Sequence, residues 1–292
     1  MKEIAAFKIH EPYGLTLQFT ADGETLVTAG MDNLIRLWSV DNWSLKNTFP
    51  GHSKSVNTID LAPDENMLAS GSSDQTVKLW SFPDGDLKKT FEHRKQTVAV
   101  VKFANDGKWL ASGWYGGYVA LWSLVDNEQL LSSKANDRHV TSLNISPNSK
   151  TMATSGIGDT IRLWNLPSGD PAGELIGHKS AVSSLTFIRE GSTLVSMGYE
   201  QDIVFWDMAS LQEVQRFNIK GEDPRGVVVS PDEMLVAVPM KGQVELRQID
   251  DWSLVEVLPV STKVVNAAAF SPDGKTIVAS GGDGNLRIWS GS

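Results

Sequence analysis

A short apolar run ending in tryptophan returns along this chain at one fixed interval. The runs are Leu34–Trp38, Val77–Trp80, Val119–Trp122, Ile161–Trp164, Ile203–Trp206 and Leu286–Trp289. Four successive steps from Trp38 are 42 residues each, and the gap from Trp206 to Trp289 is 83, close to two more steps. A further unit is therefore expected around Val244-Glu245-Leu246-Arg247, with Arg247 in the tryptophan slot. A unit of this length cannot bury its hydrophobic face alone, so the copies must stack on one another.

Within a unit the pattern is that of strands. Val56–Leu61 alternates apolar with polar, Ala62-Pro63-Asp64-Glu65 turns the chain, and Met67–Ser70, Val77–Trp80 and Leu87–Phe91 follow with breakers between them. A period of two is that of a pleated sheet with one buried face. Asp22-Gly23, Asp106-Gly107 and Asp273-Gly274 fill the first turn of other units, where a positive φ costs glycine least. No segment carries the longer period of an amphipathic helix.

Four short strands per unit and seven units predict an all-β chain, a seven-bladed β-propeller of four-stranded antiparallel blades, spanning residues 1–292 as one domain. The ends carry a separate expectation. Only Ser290-Gly291-Ser292 follow Trp289, too few for a fourth strand, whereas Glu3–Phe7 precede any complete unit. Phe7 lies 42 residues before Phe49, which lies 42 before Phe91. The N-terminal strand is thus expected to complete the last blade and close the ring, leaving no open edge.

Composition narrows the function. The net charge is −9, against the surplus of Lys and Arg that wrapping a nucleic acid requires. There is no cysteine, which removes disulfide scaffolds, thiolate metal sites and cysteine nucleophiles. The first residues lack the apolar core of a signal peptide and no stretch is long and apolar enough for a membrane helix, so a cytoplasmic protein with no membrane association is the expectation.

These residues resemble the WD40-repeat family over essentially the whole chain. The family's repeat opens with Gly-His, matched by Gly51-His52 and Gly177-His178, and ends with Trp-Asp, matched by Trp206-Asp207; elsewhere the last pair is Trp-Ser or Trp-Asn. The resemblance implies a buried hydrogen-bonded set in each blade. His10, Thr28, Asp32 and Trp38 stand in those slots, as do His52, Ser70, Asp74 and Trp80, and His178, Ser196, Glu200 and Trp206. Taken singly, a His–Ser–acid set suggests nucleophilic hydrolysis. Recurrence at a fixed period, always with the tryptophan, favours a structural role. His93 and His139 fall in loops with no partner spacing for a metal, so no metal and no cofactor are expected. The sixth unit departs furthest, with Ile219, Ala237, Lys241 and Arg247 in the four slots and a polar loop from Lys220 to Arg225.

In this family the loops before first strands and between second and third strands surround one mouth of a central channel. Carried over slot by slot, the mouth would receive Tyr13, Leu15 and Met31; Ser55, Asn57 and Ser73; Thr97, Ala99 and Tyr115; His139, Thr141 and Ile157; Ala181, Ser183 and Tyr199; Asp223, Arg225 and Met240; and Val264, Asn266 and Gly282. Tyrosine, methionine and arginine are what protein-binding hot spots favour, and Trp114 beside Tyr115 adds to the set. The outer rim is a second surface, through Trp43 and Trp252 in the matching stretches Asn42–Leu45 and Asp251–Leu254, although a tryptophan so placed more often covers its own sheet. The reading is a non-enzymatic scaffold whose mouth binds a peptide or protein. A structural subunit using its rim is the alternative, and an enzyme or small-ligand binder the least supported one.

Overall fold

The alternating runs between turn residues all become strands in the computed structural model, which describes residues 1–291 except 93, 94, 127, 137 and 220–223, and the backbone alone of 261–263. After β1 (Lys2–Lys8) come five four-stranded antiparallel sheets in chain order. They are β2–β5 (Gly14–Phe19, Thr25–Gly30, Ile35–Ser39, Leu45–Phe49), β6–β9 (Val56–Leu61, Met67–Ser72, Thr76–Ser81, Leu87–Glu92) and β10–β13 (Val98–Phe103, Trp109–Trp114, Tyr118–Ser123, Gln129–Lys134). The next two are β14–β17 (Val140–Ile145, Thr151–Gly156, Thr160–Asn165, Pro171–Ile176) and β18–β21 (Val182–Ile188, Thr193–Gly198, Asp202–Asp207, Gln212–Asn218). The remaining strands are β22 (Val228–Val229), β23 (Leu235–Gln248), β24 (Leu254–Phe270), β25 (Thr276–Gly281) and β26 (Asn285–Ser290).

The first turn of a sheet is held by a side-chain device. Thr20 donates its hydroxyl to Asp22, whose carboxylate accepts the Glu24 N–H, while the Thr25 N–H returns to the Thr20 hydroxyl at 3.0 Å. Ser230 with Asp232, Ser271 with Asp273 and Ser146 with Asn148 repeat it. The hydroxyl beside each carboxylate holds Asp22, Asp232 and Asp273 below the usual carboxylate range. The next residue is left-handed in each case: Gly23, Ser149, Glu233 and Gly274, with Glu65 and Gly107 at the matching positions.

Register repeats as strictly as sequence. Between third and fourth strands one residue of the fourth is skipped at the tryptophan: Trp38 faces Leu45, Trp80 faces Leu87, Trp122 faces Gln129, Trp164 faces Pro171 and Trp206 faces Glu213. The same shift falls at Leu246/Arg247, where Arg247 faces Leu254. Arg247 therefore occupies the tryptophan slot. β1 pairs with β26 in that register too, with Ala5 opposite Ile288 and Glu3 opposite Trp289, so the first strand is the fourth strand beside β26.

The expected division into seven four-stranded sheets is met in part. Among the described residues there are five, plus one six-stranded sheet ordered β1-β26-β25-β24-β23-β22. β24 is shared: up to Val264 it pairs with β23, and from Val265 with β25. Residues 260–264, Val-Ser-Thr-Lys-Val, contain neither glycine nor proline, so nothing interrupts the strand between its two partners. The sixth unit's first strand shrinks to Val228–Val229 behind Pro224 and Gly226.

The chain packs as two compact units, one of Met1–Ile59, Pro83–Asp86 and Gly221–Ser292, the other of Asp60–Phe82 and Leu87–Lys220. In the first, Phe19, Leu26 and Trp38 share a core with Val278, Leu286 and Ile288, and Phe7 of β1 stacks 5.2 Å from Trp38. In the second, Phe91 lies 4.9 Å from Trp122. Neighbouring first strands there are bonded: Asn144 Nδ2 donates to Leu185 O at 3.0 Å, and buried Asp60 takes the Lys102 ammonium at 2.6 Å and the Phe103 N–H at 2.7 Å.

Candidate functional site

The three polar sets are the first place to look for chemistry. In the first sheet Trp38 Nε1 donates to Thr28 Oγ1 at 2.9 Å, Thr28 Oγ1 lies 2.9 Å from His10 Nε2, and His10 Nδ1 lies 2.7 Å from Asp32. An indole only donates, so the hydroxyl accepts from it, while His10 Nδ1 lies 2.7 Å from both Asp32 Oδ1 and Arg36 Nη1. Arg36 Nη1 completes the set at 2.6 Å from the other Asp32 oxygen. Burial alone would push the Asp32 carboxyl up; hydrogen bonds from His10 and Arg36 outweigh it and bring it down to about 2.

The fifth sheet repeats this with Trp206 to Ser196 at 2.7 Å, Ser196 to His178 at 2.6 Å and His178 to Glu200 at 2.5 Å. Glu200 Oε1 also accepts the Lys179 N–H, while Oε2 is buried without a hydrogen bond among the described residues. Val204 stands here where Arg36 stands in the first sheet. In the second sheet Trp80 donates to Ser70 at 2.8 Å, Asp74 accepts from Thr76, and His52 is buried.

Ser196, His178 and Glu200 have the connectivity of a hydrolytic triad, yet the arrangement cannot act as one. The Ser196 oxygen is held by the Trp206 indole as well as by His178. Ser196 and Thr28 are wholly buried, so no carbonyl can approach either hydroxyl. Each set links the second and third strands of its sheet through the indole N–H and a hydroxyl.

Sequence reading missed Arg36, which extends the first set, and its counterparts in two other sheets. Arg36 binds Asp32, and Arg287 binds Asp283 at 2.7 Å. Arg162 reaches the Ala135 carbonyl and Asn136. All three stand two residues before a tryptophan, a periodic signal visible in the sequence.

The second place to look is the strand end carrying the proposed mouth residues. Their slots are joined in pairs by backbone hydrogen bonds: Met31 N–H to Tyr13 O, Tyr115 to Thr97, Ile157 to His139, Tyr199 to Ala181 and Gly282 to Val264. The slots are thus equivalent in space as in sequence. In the second unit Tyr115 is 46% exposed, Ile157 38% and Tyr199 52%, at the same turn of three successive sheets. His139 lies 4.5 Å from the Tyr115 ring and its Nδ1 accepts the Gly116 N–H at 3.3 Å. In the first unit Met31 and Arg225 are exposed, Tyr13, Leu15 and Asn57 half-buried, and Asn266 donates to Gly14 O at 3.1 Å.

Several assignments change. Trp114 is fully buried and gives its Nε1–H to Ser112 at 2.6 Å, so it is a core residue. Met240, 2% exposed, is likewise core; Arg225 N–H bonds to Pro239 O, shifting this turn by one residue from the others. Trp252 is buried with the Arg247 guanidinium over its ring at 5.8 Å and covers its own sheet, and Trp43 is half-buried 6.4 Å from Phe7 of β1 in the neighbouring sheet, so neither forms an adhesive rim. His93, Asp223 and the rest of the Lys220–Asp223 segment lie outside the described residues. Among the described residues no group of His, Asp and Glu is placed to hold a metal ion, and no helix is long and apolar enough to cross a membrane.

A family model described as the IFT122 first beta-propeller matches residues 14–291. The chain is also 42% identical over 64 residues to the Uncharacterized WD repeat-containing protein sll1491 of Synechocystis sp. (strain ATCC 27184 / PCC 6803 / Kazusa). That match covers 22% of this chain and 18% of the relative. WD-repeat propeller domains in general mediate protein–protein interactions, and the family is typically non-enzymatic. The repeat, its four-stranded sheets and the match over nearly its whole length place the chain in the WD40-type β-propeller family.

Proposed function

We propose that this chain is a non-enzymatic protein-interaction module that binds a peptide or partner protein at the mouth of a central channel. In this reading the seven repeat units form one closed seven-bladed ring over residues 1–292 in the cytoplasm, with β1 completing the last blade. The register of β1 on β26 supports the closure. The observation that carries the binding face is the exposure of Tyr115, Ile157 and Tyr199 at one turn position in three successive sheets. Large side chains left in water at equivalent points are the material of an interface core. Tyr13, Leu15, Met31, Asn57, His139, Arg225 and Asn266 belong to the same face; Trp114 and Met240 support it from below. No nucleic acid takes part in this reading.

Affinity capture tests it. The Tyr115→Ala/Tyr199→Ala double variant is expected to lose the bound partner while keeping its thermal midpoint. Undiminished capture by that variant sinks the mouth reading. A second surface then takes precedence, the outer edge of β24, where Leu254, Val255 and Val257 are exposed.

A further inference from the structure

The fourth sheet keeps the frame of the polar set but lacks its acid. Trp164 Nε1 donates to Thr154 Oγ1 at 2.9 Å, as Trp38 does to Thr28 in the first sheet. Three repeat intervals of 42 residues lead from His10, Asp32 and Arg36 to Asn136, Gly158 and Arg162. Asn136 packs where His10 packs: a Cβ on Gly156 would lie 2.6 Å from Asn136 Cγ, and one on Gly30 would lie 2.8 Å from His10 Cγ. Of the first sheet's set, the carboxylate alone has no counterpart at its slot.

Two donors are left open by that loss. Where an acid stands four residues before the arginine, the pair closes, with Arg36 on Asp32 at 2.6 Å and Arg287 on Asp283 at 2.7 Å. Arg162 turns instead to the Ala135 carbonyl, to Asn136 Oδ1 at 3.4 Å and, through Nε, to Glu174 at 3.2 Å. Its Nη2 has no hydrogen bond among the described residues. Asn136 is 4% exposed, and its Nδ2 is buried with no partner among them. A buried donor in that condition is costly, and one acceptor oxygen removes the cost. The slot has room: a Cβ on Gly158 would meet no atom within 4 Å beyond its chain neighbours, and Gly158 is exposed. The adjoining Asp159 is exposed and accepts from the Thr160 hydroxyl at 3.2 Å.

We infer that Arg162, Asn136 and the gap at Gly158 receive the carboxylate of a ligand, held as Asp32 is held in the first sheet. One oxygen meets the open edge of the guanidinium and the other takes the Asn136 amide. A planar guanidinium matches a carboxylate in shape and charge, which a water molecule does not. A free small acid and an acidic side chain of a bound peptide offer the same group. The inference needs none of the exposed tyrosines and so stands apart from the mouth reading.

Two-dimensional NMR of the full chain tests it, with the Asn136 side-chain amide signal identified by its loss in Asn136→Ala. Sodium acetate at constant ionic strength is expected to shift that signal, and acetamide or sodium chloride to leave it in place. Gly158→Asp supplies the missing acid from the chain itself. It should abolish the acetate response and raise the thermal midpoint by about 2 °C or more above that of the isosteric Gly158→Asn. The blocked tripeptide Gly-Glu-Gly separates the sources: tighter binding than acetate assigns the group to a bound chain, and equal or weaker binding to a free small acid. No acetate response in the unaltered chain, or one that survives in Gly158→Asp, overturns the inference. The same shift with chloride overturns it in favour of a general cationic patch. A response that appears only in Asp137→Asn/Asp159→Asn overturns it as well, because the chain's own acid then fills the slot.

Discussion

Ser196 shows how much one hydroxyl holds together. It accepts from Trp206 and donates to His178, and both partners are buried. Ser196→Ala leaves an indole N–H and an imidazole nitrogen without partners in a dry site. The expected cost is about 2–3 kcal/mol, read as a lower urea midpoint with an unchanged slope. Trp206→Phe removes the donor along with its need and should cost less than a simple sum suggests. Asp32 gives a pH signature. Its folded value, about 2, lies below the unfolded 3.8, so its stabilisation is present above about pH 4 and lost as pH falls towards 2. Asp32→Asn should flatten the stability profile over that window. A profile unchanged by the substitution would place the low-pH loss elsewhere.

At the scale of the element, the turns and bulges decide register. The first turns place Glu65 at φ 53° and Glu233 at φ 56°, where glycine stands in the first and last repeats. Glu65→Gly should therefore raise stability by up to about 1 kcal/mol, visible as a higher thermal midpoint. A lower midpoint would show that the side chain's own contacts outweigh the backbone strain. Most strands were legible in the sequence because the pattern of two and the Asp-Gly turns act locally. Arg247 was legible as a tryptophan surrogate because the interval is set by the bulge at Leu246/Arg247, which needs no indole. Trp114 was misread because a tyrosine follows it: neighbours in a strand point to opposite faces, and Tyr115 took the exposed one. Met240 misled because the sixth turn is offset, as the Arg225–Pro239 bond shows. The merging of two sheets through β24 was invisible, since it follows from breakers that are missing rather than present. Trp43 and Trp252 were undecidable from letters alone, because the same dipeptide context serves a covering or a protruding ring.

Over the whole molecule, the first strand belongs to the last sheet, paired with β26. The proposed mouth depends on that pairing, because only a closed ring would gather the equivalent turns around one opening. The chain has no cysteine, so a designed crosslink can test closure without background. Lys8 stands opposite Asn285 in the β1–β26 pair. Under mild oxidation the Lys8→Cys/Asn285→Cys variant is expected to lose both thiols to one intramolecular bond, with an increased thermal midpoint, because the crosslink closes a loop of nearly the entire chain. Two thiols that stay free in the folded protein, or that pair only between molecules, would contradict the closure and with it the shared mouth.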